Sequence, residues 1–266
     1  MFLADTHTHS SYSFDSSSSV EQMIQGARQR QVDVLCLTEH CDFWPDGRCL
    51  HYQKGEQACE KQMLALRGAG QKPQVLYGVE LGQPQVNPAE ARALLARHDY
   101  DMVIGSIHTL SDGRDIYGTR YTGLDVCESV FDRYFSDVED LLAFGDFDTL
   151  GHLDYPMRVM GGLWPAPTLA PYRERIAPLL KELARQGKAL EVNTKGCREW
   201  FRQPGPERWA LELFRQYGGR LVTTGSDAHK PQNCGQDLLA AQALLRAAGF
   251  DCIATFERRQ PRLHKI

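Results

Sequence analysis

The chain has 266 residues, a net charge of −4 and 42% hydrophobic residues, enough for a sizeable core in one large domain or two small ones. That charge offers no basic footprint for nucleic acid, and no run of 18 apolar residues offers a membrane span. The opening "MFLADTHTHS" has neither the basic nor the apolar region of a secretory signal, so a cytoplasmic protein is expected.

The first predicted strand is "FLAD" (2–5). His7 and His9 follow it, and on a strand side chains two positions apart share a face. Two imidazoles together suit a metal site; a polar loop meeting solvent is the plainer alternative. The serines at 16–19 carry no apolar periodicity and are expected to fold over the strand end, bringing Asp15 back towards the histidines. A helix then opens with a capping box of Ser18 and Glu21. Strand "VLCLT" (34–38) leads into Glu39 and His40, then a long loop over 41–56. Strand "VLYGVE" (75–80) ends on Glu80. The next helix has Asn87 at its N-cap, Pro88 at its first position and Glu90 at its third.

Strand "MVIGSI" (102–107) ends at His108, with a second long loop over 109–121. A long amphipathic helix begins at Asp125. Strand "FDTLGH" (147–152) closes on His152, and the helix after it carries Pro178 and stops at Gly187. Strands "ALEVN" (189–193) and "LVTTGS" (221–226) follow, the second running into Asp227 and His229; each is trailed by a helix with a C-terminal glycine.

Seven short apolar strands alternating with helices predict a parallel α/β architecture. Without a linker or a repeat, one barrel domain over 1–266 is expected rather than an open sheet. Six histidines then stand at or just past strand ends, with Glu39, Glu80 and Asp227 beside them, on the rim where such barrels carry their active sites. Singly, His108 reads equally as a hydrogen-bonded structural histidine and Glu80 as a loop cap; jointly they point to a metal centre. His51, His98 and His264 fall outside the pattern. The eight cysteines include no C-x-x-C pair, so reduced thiols are expected, with Cys41 beside His40.

The ordered series "DTHTHS", "LTEH", "YGVELG", "GSIH", "GHLD", "EVNTKG" and "TGSDAHKP" spans residues 5–235. It resembles the motif series of the polymerase-and-histidinol-phosphatase (PHP) family. The resemblance implies a distorted seven-stranded, TIM-like (β/α)7 barrel with two or three divalent ions (Zn, Mn or Fe) at its C-terminal rim. Carried over, it has His7, His9, Glu80 and Asp227 hold one ion. Glu80 shares a second with His108 and His152, and Asp15, His40 and His229 hold the third.

It further implies a phosphatase acting on L-histidinol phosphate in histidine biosynthesis, with water between the ions as nucleophile. Glu80, Asp227, Arg158 and Arg198 would be catalytic, with Arg158, Arg198 and Tyr117 on the phosphate. Asp42, Phe43, Trp44 and Asp46 offer acceptors or aromatic faces for the rest of the substrate. The expected partner is a small phosphorylated molecule, with no nucleic acid and no membrane; nothing in the chain sets an oligomeric state. The alternatives are another small phosphate monoester or diester as substrate, or a metal-binding protein without turnover.

Overall fold

The computed structural model describes residues 1–51, 55–67, 69–70 and 72–266; the His51 side chain lies outside what is described. Its frame is a sheet of parallel strands: β1 (Ala4–Thr8), β2 (Val34–Phe43), β4 (Gln74–Gly82), β5 (Met102–Ser106), β6 (Thr149–Leu150), β7 (Ala189–Asn193) and β8 (Val222–Gly225), hydrogen-bonded in that order. β3 (Cys49–His51) runs antiparallel along the end of β2. β1 returns to the end of β8: His9 N donates to Ala228 O at 2.9 Å and Asp227 N to His7 O at 2.8 Å. These bonds nearly close the α/β barrel.

The strands are buried along their length, as strands covered on both faces must be. Helices α1 (Val20–Gln29), α2 (Glu56–Leu66), α3 (Pro88–Arg97), α4 (Leu124–Phe144), α5 (Tyr155–Met160), α6 (Arg173–Arg185), α7 (Arg208–Gln216) and α8 (Leu238–Ala247) lie between and after them. In α1 the buried Val20, Met23, Ile24 and Ala27 recur at the spacing of one helix face, and Ile176, Leu179, Leu180 and Leu183 do the same in α6. Each such leucine or isoleucine contributes roughly 1.5–3 kcal/mol by leaving water.

Aspartates just ahead of strands clamp the N-terminal end of the barrel. Asp33 accepts from Leu3 N, Asp101 from Tyr77 N and Asp148 from Val103 N, at 2.8–3.0 Å. A C-terminal hairpin, β9 (Cys252–Glu257) and β10 (Gln260–Lys265), adds a two-stranded sheet. Arg258 and Arg259 form its turn, both at positive φ. Arg258 N donates to Asp101, and the Arg259 guanidinium pairs with Asp146 and Asp148.

Several expected boundaries are corrected. The capping box of α1 uses Ser19 and Gln22 rather than Ser18 and Glu21. Asn87 sits at the N-cap of α3 without capping a backbone N–H; its Nδ2 donates to Glu90 instead. The expected loop over 41–56 is in part strand, because β2 continues through Phe43 to pair with β3. Among the described residues no helix is long and apolar enough to cross a membrane.

Candidate metal centre

Glu80, near the end of β4, is fully buried, and five imidazoles surround its carboxylate. Oε2 lies 3.1 Å from His7 Nε2, 3.4 Å from His9 Nε2 and 3.2 Å from His40 Nδ1. Oε1 lies 3.2 Å from His108 Nε2 and 2.8 Å from His152 Nε2, and accepts from Ser106 Oγ at 2.7 Å. The two oxygens thus face two different sets of rings. Asp227 stands beyond His9, its Oδ1 3.8 Å from His9 Nε2. Asp15, at the serine-rich loop, reaches back with Oδ2 2.8 Å from His229 Nε2 and 3.5 Å from His40 Nε2.

Among the described residues, four sets of potential ligand atoms each lie within 4.8 Å of one another: His7, His9, Asp227; His7, Glu80, His152; His40, Glu80, His108; and His9, His40, His229. Eight of the nine residues expected to hold metal fall in these groups, and Asp15 joins them through His229 and His40. Their grouping differs from the expected one in that His40 groups with Glu80 and His108, His9 with His40 and His229, and His7 with Glu80 and His152.

Neighbours to which the sequence assigned no such role aim these rings. Glu191 on β7 is buried; its Oε1 lies 2.6 Å from His7 Nδ1 and its Oε2 accepts from His152 N at 2.8 Å. This leaves His7 Nε2 directed at the centre, the usual arrangement of a carboxylate behind a ligating histidine. Asp42 plays the same part for His108 Nδ1 at 3.2 Å. Glu39 accepts from Ser13 Oγ at 2.6 Å, and Ser13 Oγ lies 3.3 Å from His9 Nδ1. Gly225 has to lack a side chain, because a Cβ there would collide with His7 and Glu191.

Charge is balanced by opposition. Burial would raise Glu80, but His7, His108 and His40 hold it well below the usual carboxylate range. Burial would likewise raise Asp227; Lys195, His7, Arg158 and His229 hold it well below. Burial opposes protonation of His7, yet Glu191, Glu80 and Asp227 raise it well above the ordinary value. His108 is similarly raised to about 9 by Asp42 and Glu80 against its burial, while burial lowers His152 to about 4 despite Glu80.

A cavity of about 930 Å³ opens over this floor. Arg158 lines it from α5, its Nη1 donating to Asp227 Oδ2 at 2.7 Å. Lys195, which follows β7, lines it too, with Nζ 3.1 Å from Asp227 Oδ1. Arg198, one turn further on, donates from Nη2 to Ser226 O at 2.6 Å, and it is Lys195 that faces the cavity. Tyr117 stands at the mouth, 77% exposed. The partly buried ring nearer the centre is Tyr155, with centroids 4.9 Å from His152 and 5.1 Å from His108.

Of the residues expected to receive the rest of a substrate, Trp44 and Asp42 line the cavity. Asp42 is at the same time engaged with His108, Phe43 is in the core and the exposed Asp46 pairs with Arg48. His98 and His264 are structural: the first lies against Glu56 and Glu60, the second stacks on Phe2.

The PHP domain family model matches residues 5–195. A histidinol-phosphatase of Lactococcus lactis is 28% identical over 256 residues, spanning 95% of this chain and 93% of that protein. A probable histidinol-phosphatase of Deinococcus radiodurans is 29% identical over 268 residues, spanning 97% and 98%. The crystal structure of histidinol phosphate phosphatase from Lactococcus lactis, complexed with zinc, L-histidinol and phosphate, superposes with a TM-score of 0.86 at 26% identity and covers 98% of both chains.

Proposed function

The chain belongs to the PHP domain family, and from that premise we propose that it hydrolyses L-histidinol phosphate to L-histidinol and phosphate using bound divalent metal ions. The observation that carries this reading is Glu80, one buried carboxylate among five imidazoles, on the floor of a cavity walled by Arg158 and Lys195. The whole chain, 1–266, is read as the one barrel domain that forms this cavity, and the cytoplasm as its compartment.

The residues fit metal ions. His7 Nε2, His9 Nε2, His40 Nδ1 and Glu80 Oε2 are buried polar atoms with no hydrogen-bond partner, an arrangement that asks for an ion. Mixed imidazole and carboxylate donors suit Zn²⁺, Mn²⁺ or Fe²⁺ better than Ca²⁺. His7, His9 and Asp227 would hold one ion and His108 and His152 a second, with Glu80 serving both, and His40, His229 and Asp15 would hold a third. When bound, such ions neutralise phosphoryl charge and acidify water.

The chain's own residues do the rest. Glu191, Asp42 and the Glu39–Ser13 pair fix the tautomers and planes of His7, His108 and His9. Arg158 and Lys195 receive the phosphate, and Tyr155 closes the floor beside it. Arg198 steadies the backbone at Ser226, and so the placement of Asp227, while Tyr117 reaches a substrate from the mouth.

Asp15 tests the third ion. Asp15→Ala leaves the barrel intact, because Asp15 is 38% exposed and belongs to no strand or helix. It removes one ligand, so kcat falls about 10- to 100-fold, as for lost support of a metal site. Elemental analysis should find about one ion fewer per chain. Unchanged kcat with unchanged metal content removes Asp15 from the centre. The reading as a whole is tested by turnover of L-histidinol phosphate in the metal-loaded protein, against a panel of other phosphate monoesters.

A further inference from the structure

We propose that Cys41 and Cys49 form a peroxide-sensitive dithiol whose closure to a disulfide remodels one wall of the substrate cavity. Their sulfurs lie 3.8 Å apart across the β2–β3 pair. Cys41 is opposite His51 and Cys49 opposite Phe43, so the two are diagonal neighbours on one face of the ribbon. Cys41 lies between His40 and Asp42, whose side chains enter the metal centre, so its own thiol points the other way. Cys41 is buried and Cys49 partly exposed, which supplies an accessible first site and a sheltered second one. Among the described residues this is the thiol pair in hydrogen-bonding contact.

The oxidant is a hydroperoxide such as hydrogen peroxide. Cys49–SH and H₂O₂ give Cys49–SOH and one water. The Cys41 sulfur then attacks the Cys49 sulfur, forming the S–S bond and expelling a second water. Two thiols lose two electrons and two hydrogens, and the peroxide becomes two waters.

A disulfide bond of about 2.05 Å requires the sulfurs to approach by roughly 1.7 Å. β2 cannot easily supply this movement, because it is paired with β1 on one side and with β4 through nine residues on the other. β3 has three described residues, and among the described residues it pairs with β2 alone. The shift therefore falls on β3, and Leu50 and Trp44 at that end of the ribbon line the cavity. His40, Asp42 and the metal centre stay in place. Oxidation should alter the fit of the substrate rather than the chemistry.

The kinetic part rests on L-histidinol phosphate being the substrate; the thiol count does not, so the two readings fail separately. The metal-loaded protein is treated with hydrogen peroxide, quenched, denatured and titrated for free thiols. Six of the eight cysteines should remain, with a mass loss of about 2 Da and a Cys41–Cys49 cross-linked peptide that dithiothreitol releases. Oxidised protein should show KM for L-histidinol phosphate raised about threefold or more, with kcat and metal content within about twofold. Cys49→Ser should keep its seven remaining thiols through the same treatment and show no rise in KM. Eight thiols after treatment, a cross-link elsewhere, or a Cys41–Cys49 disulfide with unchanged KM overturns the proposal. Peptide mapping of the unsubstituted protein decides the matter if the variant does not fold.

Discussion

Glu80→Ala loses bound metal and hydrolysis together. Both carboxylate oxygens are engaged, one by His7, His9 and His40 and the other by His108 and His152. Removing one member of a buried charged network costs roughly 3–5 kcal/mol. Spent on the reaction, that is about 10²- to 10⁴-fold in kcat/KM. The barrel itself should survive, because its closure rests on backbone bonds between β1 and the β8 end and on the Thr6 and Thr224 hydroxyls. Circular dichroism should therefore be unchanged while elemental analysis shows metal lost. Glu80→Gln keeps the shape but not the charge and should fall between the two. Full metal content in an active Glu80→Ala protein would sink the bridging role.

Arg158→Ala loses activity but not metal. Its guanidinium is buried, with Nη1 on Asp227; Nε and Nη2 have no hydrogen-bond partner, and Nη2 lies 3.9 Å from Asp154 Oδ1. Buried donors left unpaired beside an anion cavity are suited to phosphate oxygens, which a planar fork can meet two at a time. A charge-assisted hydrogen bond is worth about 1.5–3 kcal/mol, which predicts roughly 10- to 150-fold in kcat/KM. Arg158→Lys should restore part of it. Metal should stay bound, because the substitution takes a competing cation away from Asp227. Lys195→Ala should show a smaller loss of the same kind, and Arg198→Ala a smaller one again, because Arg198 acts through Ser226. Loss of metal in Arg158→Ala would mean that this residue supports the centre rather than the substrate. Wild-type kcat/KM in both the Arg158 and Lys195 variants would remove the phosphate clamp altogether.

The seven parallel strands were legible because a strand buried on both faces reads as an apolar run, and the candidate ligands because they cluster at the ends of those runs. What failed to show in the sequence failed for identifiable reasons. β2 looked finished at Thr38 because Glu39, His40 and Asp42 are polar, yet each is buried: Glu39 bonds Ser10, Asp42 bonds His108, and His40 turns towards Glu80 in the metal centre. β6 is two residues long where six were expected, since the chain turns away after Leu150 to carry His152 inward. The C-terminal hairpin has no Asn-Gly or Asp-Gly turn, and β10 is largely exposed, so neither alternation nor turn chemistry marks it. Glu191 supports His7 across 184 residues of sequence, a pairing that no local pattern encodes. Glu191 and Lys195 do both stand in the quoted "EVNTKG", so the motif marked the right segment without assigning their roles.

The most direct test is a steady-state assay on L-histidinol phosphate after chelation and again after reloading with Zn²⁺ or Mn²⁺. The account predicts that chelated protein is inactive, that reloading restores turnover in step with bound metal, and that kcat/KM for this ester exceeds that for a panel of sugar phosphates and nucleotides. Metal-loaded protein that turns over no phosphate ester, or that prefers another ester over L-histidinol phosphate, would contradict it.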